Sequence, residues 1–346
     1  MIFKTIKKLR LSQLVIVAVV LALTFPVSVS AQSFAKVGIV GGQFLKIGVG
    51  AEIVGMGSSA MATVDDAQAV FWNPSGLTSI KNTSVYLSQV NWFAGVEYIS
   101  AAAAKNLGRI GTIGLSFSYL TSGDMDVTTY SQQEGTGETF GYSDLMLGVS
   151  WARNLTDRFS FGITAKYVVE DFGFNDDVDG TAVKAQAIAF DIGTQYITGL
   201  KSLKMGIAIQ NFGPELSPSG AYEDIIGYDS KTQDYIRVEA ADFKSYPMPM
   251  VFKVGVMMDL LDIANHKLTV AADALHPSDN EERVNVGVQY SLYNALHLRG
   301  GYIFNADAAT FSLGAGFTLK GTQIDYAFSQ YVLLDELHTI SVGFNH

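Results

Sequence analysis

The chain has 346 residues, 48% of them hydrophobic and only 16% charged, with 34 glycines and a formal net charge of −10. A soluble domain carries about 25% charged residues, so this chain is short of solubilising surface. Its 21 Phe, 16 Tyr and 3 Trp exclude a disordered chain, and glycines without a three-residue period exclude collagen. A bundle of membrane helices needs runs of roughly 20 apolar residues, and the one stretch that comes near this lies at the N-terminus. An acidic balance argues against nucleic acid, whose affinity comes from Lys and Arg. With Cys 0, sheet hydrogen bonds and packing alone must hold an exported chain together.

Residues 1–31 have the layout of a secretory signal peptide. Basic Lys4, Lys7, Lys8 and Arg10 precede an apolar core from Leu14 to Phe25, a break at Pro26, and small residues at Val29-Ser30-Ala31. The core is too short to span a bilayer as a helix, so the mature chain is expected to begin at Gln32.

Residues 32–80 form the next unit and do not alternate. Gly38-Ile39-Val40-Gly41-Gly42, Gly48-Val49-Gly50 and Gly55-Met56-Gly57 are followed by Asp65-Asp66 and then Trp72-Asn73-Pro74-Ser75-Gly76-Leu77. Irregular backbone of this kind survives at membrane depth only where protein or water satisfies it, which suits a hatch inside a barrel lumen. Gly55 to Ala60 also matches G-x-G-x-x-A, but no βαβ unit surrounds it, so no dinucleotide site is expected.

From residue 81 to 346 a two-residue period takes over. Ile113, Leu115, Phe117 and Tyr119 alternate with Thr112, Gly114, Ser116 and Ser118; Phe159, Phe161, Ile163, Ala165 and Tyr167 alternate with Ser160, Gly162, Thr164 and Lys166. The apolar faces carry no charge, and the other faces hold Gly, Ser, Thr and Ala rather than Lys and Glu. Strands are expected at 83–91, 97–106, 110–120, 143–153, 158–170, 184–197, 203–211, 249–260, 267–275, 283–291, 295–304, 309–319, 322–331 and 336–345. That is about 14 strands of an all-β, transmembrane antiparallel β-barrel, an even number as bacterial single-chain barrels require. Long connections at 121–142, 171–183 and 212–248 all fall at one end and short turns at the other, which is the parity of outer loops and periplasmic turns. The outer connections carry most of the acidic residues, with Lys231, Arg237 and Lys244 as their basic ones. Such an acidic rim fits solubility, cation capture or partner binding.

The inward faces carry Lys166, Asp191, Lys253, Asp259, Asp273, Arg299 and Asp325. Enclosed charges must be paired or wet, so these either fix the hatch to the wall or line a polar passage. Asn175-Asp176-Asp177-Val178-Asp179-Gly180 begins like a calcium loop, but Gln186 stands at its twelfth position; a solvated acidic loop is the simpler reading of 171–183. The five histidines show no metal spacing, and no residue set points to catalysis. No cofactor is expected.

The hatch residues carry a family resemblance. Phe44-Leu45-Lys46-Ile47-Gly48, Ala51, Gly55-Met56-Gly57, Asp65-Asp66-Ala67 and Trp72-Asn73-Pro74-Ser75-Gly76-Leu77 resemble the N-terminal segment of the PorV/PorQ family, outer-membrane barrels similar to the fatty-acid transporter FadL. Further matches are Gln210-Asn211-Phe212-Gly213-Pro214, Asp273-Ala274-Leu275-His276-Pro277 and Leu298-Arg299-Gly300-Gly301-Tyr302. The resemblance implies a fourteen-stranded barrel with an N-terminal hatch in the outer membrane of a Gram-negative bacterium. It also implies a role in type IX secretion, with secreted cargo or other secretion components as partners. FadL-like relatives imply instead the transport of a hydrophobic small molecule, and a diffusion porin would need an open lumen. Glu52 stands where the family tends to have Arg, and Ser75 where Asn-Pro-Ala is commoner. A monomer in contact with outer-membrane lipid is expected.

Overall fold

The computed structural model describes residues 38–176, 180–229, 231, 234–306, 309–332 and 336–346. The expected signal peptide lies outside these residues, as do positions 177–179 of the acidic loop.

Fourteen strands form the wall: β1 Thr83–Asn91, β2 Glu97–Asn106, β3 Thr112–Thr121, β4 Ser143–Asn154, β5 Phe159–Asn175, β6 Ala182–Ile197 and β7 Lys204–Phe212, then β8 Val251–Ile263, β9 His266–Pro277, β10 Arg283–Leu292, β11 Leu296–Phe304, β12 Ala309–Leu319, β13 Thr322–Tyr331 and β14 Leu337–Asn345. Each pairs antiparallel with its neighbour in sequence, and β14 returns to β1 through Leu87↔Val342 and Ser88↔Ser341. The ladder is therefore closed. In hydrocarbon an open edge would leave backbone N–H and C=O groups without partners, and closure removes it. Among the described residues no helix is long and apolar enough to cross a membrane; the strands cross it.

Burial has the opposite phase to that of a soluble protein. On β3 and β4, Leu115 and Val149 are each 57% exposed while Ser118 and Ser150 are fully buried. Leu87, Leu147, Ile188, Leu313 and Ile340 are likewise exposed, and Ser88, Ser116, Thr164, Ser312 and Thr339 buried. An apolar outer face joined to a polar inner face is stable only when lipid covers the outside.

Strands β5 and β6 run further outward than their alternation indicated, to Asn175 and from Ala182, because their pairing continues beyond a register irregularity to Asn175↔Ala182. The two longest outer connections contain strands of their own. Met125–Asp126 pairs with Thr139–Phe140, and Ala221–Asp229 with Asp234–Asp242. These polar-flanked hairpins lie beyond the alternating segments, which is why periodicity did not mark them.

The inward wall is lined at many positions by small residues, which leaves room for residues 41–80. That segment is made of short pieces: turns at Gln43–Lys46 and Pro74–Ser79, and helices at Ala51–Gly55 and Ala69–Trp72. Ile53, Met61, Val64, Val70 and Leu77 of the segment share one apolar cluster with Tyr86, Ala102, Ala104, Ala152 and Ala208 of the wall.

At the short-loop end, Lys320-Gly321 joins β12 to β13 with φ of 49° and 83°. Two left-handed residues are the signature of a type I′ hairpin turn, whose twist matches that of the strands. A Cβ on Gly321 would also collide with the Asn345 carbonyl oxygen. Gly321→Val is expected to destabilise the barrel by about 1–3 kcal/mol, read as a lower midpoint of heat unfolding in detergent; an unchanged midpoint would contradict this account of the turn.

Candidate functional site

The contacts between residues 41–80 and the wall are of two kinds, close backbone approach and buried polar bonds. Gly55 lies against Gly314, and Gly57 against Gly301 and the Val286 carbonyl; a Cβ on Gly301 would strike the Gly57 backbone, and one on Gly287 the Met56 carbonyl. Glycine on both surfaces is thus a requirement of the fit. Met56 itself packs with Ala62, Met257 and Ala271.

The Trp72 to Leu77 stretch is held in the same way. Gly162 and Gly193 of the wall have no room for a Cβ because Pro74 and Asn73 lie on them. Asn73 is buried and uses every polar atom of its side chain. Its Nδ2 donates to the Met61 and Thr194 carbonyls at 2.8 and 3.1 Å, and its Oδ1 accepts from the Ser75 amide and hydroxyl at 3.2 and 2.7 Å. Pro74 occupies the first helical position, where its missing N–H costs nothing. Gly76 is closed in by Val64, Leu77 is fully buried, and the Trp72 indole donates to the Val49 carbonyl at 2.9 Å. Wall side chains grip this stretch too: Gln210 Nε2 donates to the Phe71 and Trp72 carbonyls at 2.8 and 2.7 Å.

The expected lumenal charges separate into distinct groups. Arg299, fully buried, lies between Asp325 at 2.6 Å and Glu52 at 3.1 Å. Gln289 accepts from its Nε at 2.6 Å, and Gln323 bridges Glu52 and Asp325 at 2.9 and 2.8 Å. Glu52 thus becomes the segment's own contribution to the cluster, where its departure from the family pattern gave no sign of a partner. Asp273 holds the segment through backbone amides: its Oδ2 accepts from the Ala60 and Met61 amides at 2.7 and 3.0 Å, and the opposing Gly255 leaves space for it. Lys166 and Asp191 pair within the wall at 2.6 Å, and Asn211, at φ 58°, accepts from Lys166 at 2.9 Å while its amide donates to Asp191 at 2.8 Å. Lys253 is buried over the Trp72 ring, 5.2 Å from its centroid. Asp259 stands apart from the segment and pairs with Lys267 of the adjoining strand at 3.4 Å and with the Thr269 hydroxyl at 2.7 Å.

Of the acidic pair, Asp65 is exposed and Asp66 buried. Burial, with Glu52 and Asp65 nearby, pushes the Asp66 carboxyl well above the ordinary carboxylate range, against the lowering effect of its bonds from Gln68. At the long-loop end, Gly42 donates to Glu170 at 2.6 Å and Lys46 pairs with Asp279 at 2.8 Å. Glu170 and Gln323 were not singled out in the sequence, because long polar side chains on a small-residue face carry no spacing signal, while Glu52 and Gln210 stood out only as positions of the family resemblance. Among the described residues no group of three or more acidic or imidazole side chains could hold a metal.

A closed ladder of fourteen strands, apolar outside and polar within, together with an N-terminal segment bonded to the inward face, defines an outer-membrane β-barrel. The sequence matches the family described as type IX secretion system protein PorV over residues 30–226. The chain belongs to this family, and with it to the outer membrane of Gram-negative bacteria. No curated protein matches the sequence. Among solved structures, the CymD monoaromatic hydrocarbon channel is similar at 15% identity and a TM-score of 0.57, covering 86% of this chain and 98% of that one. The Ralstonia pickettii toluene transporter TbuX is similar at 14% identity and 0.54, with the same coverages. The Pseudomonas putida toluene transporter TodX is similar at 13% and 0.54, covering 86% of this chain and 96% of that one. At these identities the likeness shows a common barrel fold.

Two outcomes follow for stability. Removing one member of a buried ion cluster leaves its partners uncompensated, so Arg299→Met is expected to cost about 3–5 kcal/mol, and adding Glu52→Leu and Asp325→Leu to recover most of it; denaturant unfolding in detergent measures both, and equal midpoints for wild type and Arg299→Met would refute the cluster's structural weight. For Asp66 the fold prefers the protonated form. Below about pH 4 folded and unfolded chains both hold that proton, and as pH rises the unfolded chain ionises first and stability falls. Asp66→Asn should therefore raise the unfolding temperature at neutral pH, with the gain vanishing at pH 3; a gain independent of pH would contradict the assignment.

Proposed function

We propose that this barrel stands at the cell surface as an acceptor for proteins exported by type IX secretion, with residues 32–80 acting as a closed hatch. The family match carries this reading. It is supported by the sorting of every long connection, and most of the acidic residues, to one end of the barrel. That end faces outward if the short turns are periplasmic, as is usual for such barrels. A monomer is the expected unit, with secretion components or cargo docking on the outer loops.

The hatch reading draws on the bonds that Ala60, Met61, Glu52 and Asn73 make with the wall. A lumen crossed by so many buried contacts does not suit a diffusion pore.

A second reading, passage of a hydrophobic small molecule, is favoured by one observation. A cavity beside Phe71 and Trp72 is lined by Leu45, Ile47 and Leu275 together with Lys253, and the structural neighbours include named hydrocarbon channels. Its volume is about 90 Å³, below the ~150 Å³ of an apolar cavity that takes benzene. Entry of even one aromatic ring would require the segment to shift.

Deleting the gene is expected to remove cargo proteins from the cell surface proteome, and unchanged surface delivery would reject the secretion reading. In planar bilayers the purified barrel is expected to show no steady ion conductance; long-lived open channels would reject the closed hatch.

A further inference from the structure

At the long-loop end of the barrel, Asp144 of β4 and Glu170 of β5 are directly opposite partners. Both are buried, at 2% and 4% exposure. Like charges facing each other across two strands repel, and burial strengthens the repulsion. Glu170 is nonetheless satisfied. The Gly42 amide donates to its Oε1 at 2.6 Å and the Tyr246 hydroxyl to its Oε2 at 2.6 Å. Asp144 differs: the Tyr142 hydroxyl bonds to its carboxyl, but its Oδ1 has no hydrogen-bond partner.

Both carboxyl groups line an open cleft of about 830 Å³ whose other walls include Phe44, Ile47, Trp92, Leu120 and Phe172. The basic side chain among its described lining residues, Lys46, is already held by Asp279 at 2.8 Å. A buried acceptor beside a second carboxyl, in a cleft whose walls are mainly apolar with Gln43, Tyr142 and Tyr246 as further polar side chains, asks for a cation with an apolar stem. A calcium or magnesium ion would need six or more oxygen ligands, and among the described residues no metal-ligand group of even three is present. One unpaired oxygen suits the point charge of an ammonium better than the two-pronged guanidinium. The apolar walls, Trp92 and Phe172 among them, suit the four-carbon stem of lysine. The acidic outer loops, among them Asp124, Asp126, Glu134, Glu138 and Asp171, would draw such a group toward the cleft.

We propose that this cleft receives a lysine side chain from an extended segment of an exported protein, its ammonium seated against Asp144 and Glu170. The proposal rests on the reading of the barrel as an acceptor for exported proteins, and it names the chemistry by which one side chain would be read.

The test uses the full-length protein in lipid nanodiscs and two end-capped pentapeptides, Ser-Val-Lys-Val-Ser and the same peptide with norleucine in place of lysine. Titration calorimetry against empty nanodiscs is expected to give at least tenfold tighter binding of the lysine peptide. Asp144→Asn should abolish that preference without lowering the unfolding temperature, since it removes one of two facing carboxyls. Equal binding of the two peptides, no binding of either, or a preference that survives Asp144→Asn would overturn the proposal. Butylamine binding as tightly as the lysine peptide would overturn it as well, by assigning the cleft to a free amine. Failure of the secretion reading is seen separately in the surface proteome: unchanged delivery with an intact lysine preference would remove the function and keep the site.

Discussion

Closure of the hydrogen-bonded ladder is the constraint on which the rest of the structure depends. In hydrocarbon no water can satisfy a strand edge, so β1 must find β14 and every strand must pair on both sides. Closure then fixes the two faces. One set of alternate residues meets lipid and takes Leu, Ile, Val and Phe; the other meets the lumen and is free to be small. Ala102, Ala104, Gly162, Gly193 and Gly301 are inward positions of this kind, and their lack of bulk makes the space that residues 41–80 occupy. An ordinary protein core grows from large side chains of neighbouring elements. Here most of the large apolar side chains come from the segment, and apart from Tyr86 the wall meets them in this cluster with alanines.

The same enclosure explains the inward charges. A carboxylate or guanidinium surrounded by protein has to be matched by a counter-charge or by hydrogen-bond donors, and the lumen uses both solutions. Arg299 meets two carboxylates, one from the wall and one from the segment. Asp273 meets two backbone amides of the segment instead. Contacts of this kind specify one seating of the segment against the wall, since a shift of one residue along the chain would strand a charge. Glycines facing glycines allow that seating, and the buried bonds choose it.

At the long-loop end the arrangement changes character. Glu170 is bonded to Gly42 and Tyr246 and so ties the start of the segment to β5 and to the connection before β8. Asp144 beside it keeps a buried acceptor without a partner. Whatever docks at this end therefore meets a surface linked by only a few bonds to the segment inside the barrel.

Much of the architecture was legible in the sequence. The two-residue period of segments such as Ile113 to Tyr119, the absence of charge on their apolar faces and the parity of loop lengths determined a lipid-facing barrel of fourteen strands, because hydrocarbon imposes that pattern locally on every strand. The glycine-rich stretch and its Trp-Asn-Pro motif marked residues that need close approach. Tertiary structure alone decided which charges meet. Lys166 with Asp191, Arg299 with Asp325 and Glu52, and Asp144 opposite Glu170 depend on strand register and on where the segment rests, and register is a property of paired strands. Asp259 carries the same side chain as Asp273 on the neighbouring strand, yet it pairs with a lysine beside a turn rather than with the segment, because its level in the wall differs. The sequence by itself determined the solvent each face would meet. The partner each buried polar group would meet was decided only when the ladder closed.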